Sequence, residues 1–193
     1  VLHRSDGRPI RTWGAGPPGV GRTTRIFDGR AGEGVAWVWD GALDAQGRPV
    51  VVYTAHRSPR DIRYRYARWD GAAWRDREIA RAGAALTDDE QFYAGGICLD
   101  PDRPDTVYLS SNADLATGQP AGRYELHRGV TSDGGATWRW TALTAHSPAD
   151  NLRPLVPERH PAGDFVLWLR GAYTSYTDFA TEVVLGWEGP PGH

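Results

Sequence analysis

Arginines and tyrosines, together at two places and singly at two more, define the chemistry to look for in this chain. In AHRSPRDIRYRYARW, residues 55 to 69, His56 and Arg57 precede a run in which Arg63 and Arg65 alternate with Tyr64 and Tyr66. In HSPADNLRPLVPERH, residues 146 to 160, Arg153 stands before Pro154, with Asp150 and Asn151 just ahead to shape the loop. LRGAYTSYTDF, residues 169 to 179, carries Arg170, Tyr173 and Tyr176, and QFYAGGI adds Tyr93. A guanidinium holds a carboxylate in two parallel hydrogen bonds, while an imidazole or a phenol beside it can remove or supply a proton. His56, Tyr64, Tyr173 and Tyr176 are therefore the candidate catalytic groups, and Arg57, Arg63, Tyr93, Arg153 and Arg170 the candidate substrate-binding groups. The same alternation also suits side chains that only pack one sheet against the next.

Other chemistries find less support. Asp40, Asp61, Asp114, Glu125 and Asp178 are not paired by spacing as two glycosidase carboxylates would be. The six histidines are scattered without zinc-ligand spacing, and Cys98 lies in an apolar run that predicts an inert buried thiol. GAGPPGVGRT, residues 14 to 23, holds two prolines and follows no strand of the kind a phosphate cradle requires, so it reads as a surface loop. No cofactor and no metal are expected. The net charge of −2 and the absence of a basic stripe argue against a nucleic-acid partner, although every basic residue other than histidine is an arginine. No apolar run is long enough for a membrane span, VLHRSDGRPI has no signal-peptide apolar core, and a single cysteine excludes an internal disulfide.

The elements that must position these groups are strands. Segments 35–44, 50–57, 62–70, 92–100, 106–112, 124–133, 137–144 and 165–174 are short, rich in β-branched and aromatic residues, and bounded by Gly, Pro, Asp or Asn. Only residues 77–91 have helical composition, and Gly83 interrupts them. In TSDGGATW, residues 131 to 138, Asp133 can bond the backbone ahead of it, Gly134 and Gly135 supply positive φ, and Trp138 can cover the turn. The strands also repeat. GALDAQGRPVVVY is echoed by ICLDPDRPDTVYL with Asp44 and Asp100 in register, and Val51, Val107 and Val166 recur at nearly the same interval. Each of the first two units has a later hairpin with a turn and a tryptophan, WDGAAW and TSDGGATW. Units of about 50 residues with four strands match the blades of a β-propeller.

TSDGGATW fits the Asp-box pattern through Thr131, Asp133, Gly135, Thr137 and Trp138. With VWDGALDAQGRPVVVY, YRYARWDGAAW, YAGGICLDPDRPDTVYLS, DNLRP and WLRGAYTSYTDF, the chain resembles the bacterial-neuraminidase-repeat, sialidase-like β-propellers, in the subgroup similar to secreted ulvan-type polysaccharide lyases. The resemblance runs from about Val35 to Val184. It implies an all-β, partial propeller of about three to four four-stranded antiparallel blades: the end of an earlier blade plus a loop over 1–34, a blade over 35–91, an Asp-box blade over 92–144 and an incomplete last blade over 145–187. It implies action on an acidic polysaccharide or glycan in an extracellular or periplasmic setting, as a lyase with Arg neutralising a carboxylate and His or Tyr as base and acid. The alternatives are a sialidase-like glycosidase, a non-catalytic glycan-binding propeller and an inactive fragment. Ile62 stands where the family tends to have a histidine, which leaves His56 as the local base, and the N-terminal arginine motif of the sialidases is not seen. A full ring needs roughly 300 to 400 residues, so the expected partners, besides a glycan, are missing N-terminal blades or a second copy.

Overall fold

The structure is a computed structural model that describes residues 2–12, 23–32 and 34–188; most of the proposed 14–23 loop lies outside the described residues. The chain is all-β, with no α-helix among the described residues and one 3-10 turn at Gly29–Ala31. A short hairpin of β1 (Leu2–His3) and β2 (Pro9–Arg11) comes first. Three antiparallel meanders follow, each strand pairing with its neighbour in sequence. The first sheet is β3 (Val35–Leu43), β4 (Pro49–Ser58), β5 (Asp61–Trp69) and β6 (Trp74–Gly83). The second is β7 (Ile97–Asp100), β8 (Arg103–Ala113), β9 (Pro120–Val130) and β10 (Arg139–Ala142). The third has three strands, β11 (Asp150–Leu155), β12 (Asp164–Tyr173) and β13 (Phe179–Glu188).

The helical composition of 77–91 does not prevail. Arg77 pairs with Tyr66 and Ala80 with Tyr64 across the β5–β6 ladder, and Gly83 ends the strand at φ 93°. A neighbouring strand that satisfies every backbone group outweighs propensity differences of a few tenths of a kcal/mol per residue.

The turns explain the repeat. Asp44 follows β3 and accepts the N–H groups of Gln46 and Arg48, while Asp100, at the end of β7, accepts those of Asp102 and Arg103. The carboxylate closes the same first hairpin in both sheets. In the later hairpins Asp70 takes the N–H groups of Ala72 and Ala73, and Asp133 those of Ala136 and Thr137 plus the Thr137 hydroxyl. These bonds to the Thr137 side chain and backbone hold the Asp133 carboxyl well below the usual carboxylate range. Gly135, at φ 92°, lies so close to Tyr66 that a Cβ would come within 2.7 Å of its ring. Trp138 meets Tyr66 edge-on at 5.2 Å and stacks on Trp140, so the turn fastens the second sheet to the first.

Two layers of core lie between the sheets. Val50, Val52, Ile62, Tyr64 and Tyr66 of the first sheet meet Ile97, Leu99, Val107 and Leu109 of the second. Cys98 and Tyr108, on the second sheet's other face, meet Val166 and Trp168 of the third, with Val156. The period of two along β8 thus sends alternate residues into different cores. The first strands adjoin, Leu99 donating its N–H to Asp40 and Arg153 its N–H to the Gly95 carbonyl. The far face of the third sheet carries Leu155, Phe179, Val183, Leu185 and Trp187, all exposed.

Candidate functional site

The Arg153 side chain is aimed by three features of the backbone around it. Tyr93, Ala94, Gly95 and Gly96 lead into β7, and the Gly95 carbonyl accepts the Arg153 N–H at 2.6 Å. Gly96 has φ +106°, and a Cβ on it would lie 3.0 Å from the Arg153 Cα, so glycine is what lets β11 approach. Between Leu152 and Leu155 the β11–β12 register slips, and Arg153 takes the left-handed value φ 52°. Such a bulge turns a side chain out of the regular alternation.

The guanidinium lies 4.5 Å from the centre of the Tyr93 ring and 5.7 Å from that of Tyr173. Tyr93 in turn meets Trp37, Trp39 and Tyr176 edge-on at 6.0, 6.5 and 5.4 Å, and Tyr173 stacks on Phe179. Trp37, at the start of the first sheet, and Tyr176, in the β12–β13 turn, are about half exposed. The cluster therefore opens to solvent. Arg153 forms no ion pair among the described residues, and its Nε is buried without a partner. The π faces hold the cation in place but leave its hydrogen-bonding capacity unused.

Four of the residues picked from sequence, Tyr93, Arg153, Tyr173 and Tyr176, thus converge from three segments. Five do not join them. Tyr64 is completely buried, its hydroxyl donating to the Ser110 carbonyl at 2.7 Å and accepting the Gly96 N–H at 2.9 Å. With no exposed surface the hydroxyl is out of reach of a substrate, and burial pushes its phenol far above the ordinary range. It instead supports the Gly95–Gly96 platform on which Arg153 rests. His56 is also buried, behind Phe92, with Nε2 2.8 Å from the Thr54 hydroxyl. Desolvation holds its pKa below the usual histidine value, outweighing the Gln91 backbone and Glu90, so the ring is neutral but shut off from a substrate.

Arg63 is committed to Asp61 and Glu78, and Arg57 reaches Glu78 at 3.4 Å. Asp61 accepts from Arg63, which pulls the Asp61 carboxyl below and the Arg63 guanidinium above their ordinary values. Arg170 sits on β12 opposite Asn151 and Glu182, beside a shallow surface depression with Ala149 and Thr181.

Sequence reasoning passed over Trp37, Trp39 and the two glycines. Their signals are the adjacent glycines one residue beyond Tyr93 and the Trp-Val-Trp alternation in β3. It also passed over a buried polar knot in which Asn151 donates to Glu125 and Ser147 and accepts the Trp168 indole N–H. That knot anchors the strand just ahead of Arg153. Asp100, Asp102 and His160 gather closely enough to suggest a cation, but Arg103 already bonds Asp100 at 2.7 Å and supplies the positive charge.

A half-exposed aromatic floor around an unpaired guanidinium can stack the apolar face of a sugar ring while gripping an acid group. Comparison of the chain with protein-family models, with curated proteins and with solved structures finds no match.

Proposed function

We propose that the three stacked meanders are successive blades of a β-propeller and that the Arg153 cluster, on its inner strands, binds the uronic acid units of an acidic polysaccharide. One observation carries this reading: Arg153 lies between two tyrosine rings with no carboxylate of its own. The nearness of β3, β7 and β11 supports the ring, because in a propeller the first strands line the centre. As a lyase, the protein uses Arg153 to neutralise the carboxylate and so acidify the neighbouring C–H, with Tyr173 and Tyr176 as the base that takes this proton and the acid that protonates the oxygen leaving as the glycosidic C–O bond breaks and the C=C bond forms. The burial of His56 and Tyr64 favours a second reading, in which the site binds glycan without cleaving it.

Titration with oligouronates and with uncharged oligosaccharides of equal length tests the binding. The acidic series should bind, and Arg153→Ala should weaken it at least about tenfold, the scale of a lost charge-assisted pair. Equal binding of both series, or no effect of the substitution, overturns the proposal. New absorbance from an unsaturated product then separates elimination from binding alone.

A further inference from the structure

A second site lies between the outer parts of the first two sheets. A cavity of about 490 Å³ opens there, lined by Arg60, Arg63, Arg81 and Asn112 among others. It sits at the end of the sheets where Trp37 enters β3 and Tyr93 leads to β7, because Val35 pairs with His56 and the Gly96 carbonyl accepts the Ser110 N–H.

The charges at this end do not cancel. Arg57, Arg63 and Arg81 all act on Asp61, and Arg57 and Arg63 both reach Glu78. Of the charged groups that line the cavity itself, three are guanidinium groups, Arg60, Arg63 and Arg81, and one is a carboxylate, Asp61. Arg63 is spent on Asp61 and Glu78. Arg60 forms no side-chain hydrogen bond or ion pair among the described residues, and Arg81 gives only one hydrogen bond, to the Gly118 carbonyl at 3.2 Å. Asn112 is oriented as well: its Oδ1 accepts the Ala84 N–H at 3.0 Å, which leaves the Nδ2 donors over.

Two glycines make room for these donors. A Cβ on Gly83, at φ +93°, would lie 1.7 Å from the Asn112 Oδ1, and one on Gly118 would lie 2.7 Å from the Arg81 Nε. The backbone is shaped so that donor side chains can lie against it. Excess positive charge, preset donors and an open volume are what an oxyanion needs.

We infer that this cavity binds an oxyanion, a carboxylate or a sulfate group, through Arg60, Arg81 and the Asn112 amide, with Arg63 and its two carboxylates as the fixed wall. On the proposed reading of the Arg153 cluster, the cavity is a second anchor for the same charged polymer on the same end of the sheets. The oxyanion site itself stands whether or not that reading holds.

Equilibrium dialysis with labelled sulfate and with glucuronate, at constant ionic strength set with chloride, tests it. One anion should bind per chain at this cavity, and Arg60→Gln with Arg81→Gln should weaken it at least about tenfold. Both residues are exposed, so the fold is kept, and Arg81→Lys should restore part of the affinity. Arg153→Ala should leave sulfate binding unchanged, which separates failure of this site from failure of the Arg153 reading. Binding of neither probe, or binding indifferent to the double substitution, overturns the inference.

Discussion

Arg63 and Arg153 are both arginines on strands of the same kind of sheet, yet their surroundings are opposite. Arg63 faces two carboxylates and is held by charge, whereas Arg153 faces two tyrosine rings and is held by π faces. The first arrangement uses up the cation and the second leaves it available. An arginine with partners on every side is a structural rivet; one that is positioned but unpaired keeps its donors free for a charge from outside.

The contrast breaks most sharply at the paired site. Arg63→Ala should cost about 1 to 3 kcal/mol, read from chemical denaturation, because Asp61 and Glu78 lose their counter-charge. That is less than the ~3 to 5 kcal/mol of a fully buried pair, since their side chains keep 37% and 32% of their exposure. Arg153→Ala should change stability by less than about 1 kcal/mol, because only cation–π contacts are lost, and should remove uronate binding. A stability loss at Arg153 equal to that at Arg63 would mean the two arginines are the same kind of residue.

Tyr64→Phe connects the two cases. It strips the Ser110 carbonyl and the Gly96 N–H of a shared buried partner, which should cost about 1 to 3 kcal/mol. It should also weaken uronate binding, because Gly96 supports Arg153, while leaving sulfate binding at the outer cavity intact. Arg153→Lys sharpens the comparison further. The charge is kept but the flat fork is not, so binding should fall by a factor between those of wild type and Arg153→Ala.

The smallest expected effect is on pH dependence. Desolvation depresses the His56 and His127 pKa values in the folded state, so unfolded chains take up more protons as pH falls below about 6.5. Stability from these two groups is present above that pH and declines below it. His160 acts oppositely: burial works against its charge, but Asp100 outweighs it and raises the pKa. Its contribution is full below the unfolded value and is lost as pH rises through the folded one. His160→Gln should therefore steepen the loss of stability between pH 7.5 and 5.5, seen in the melting temperature.

Much of the architecture was readable in the chain because each signal is local. The alternation in Ile62-Arg63-Tyr64-Arg65-Tyr66 puts arginines and tyrosines on opposite faces of β5, and in the structure Tyr64 and Tyr66 enter the core while Arg63 and Arg65 pair with acids on the other face. The Asp44 and Asp100 turns repeat because the same carboxylate geometry closes both hairpins. The site was only half legible. Tyr93, Arg153, Tyr173 and Tyr176 were picked by residue type, but nothing near Tyr64 or His56 in sequence reveals that the second sheet covers one and Phe92 the other. Nor does the sequence disclose which arginines face carboxylates, since Glu78 meets Arg63 across the β5–β6 ladder from 15 positions away.

The middle position of the second sheet carries a consequence for motion. β7 is buried along its whole length and β8 along most of it, because each has a core on either side. The third sheet has one such core and an exposed far face, whereas on the first sheet's other face Tyr53 and Ala55 are buried and Phe27 packs against Tyr53. Amide hydrogens of β7 and β8 can exchange only when both cores part, so they should be the slowest in the molecule, close to the global unfolding limit. Those of β13, at an unpaired edge, should exchange by local fraying. Gly95 and Gly96 enter the slow sheet directly, which places Arg153 against these slowly exchanging strands, so on the proposed reading a charged ligand meets a socket that is already set.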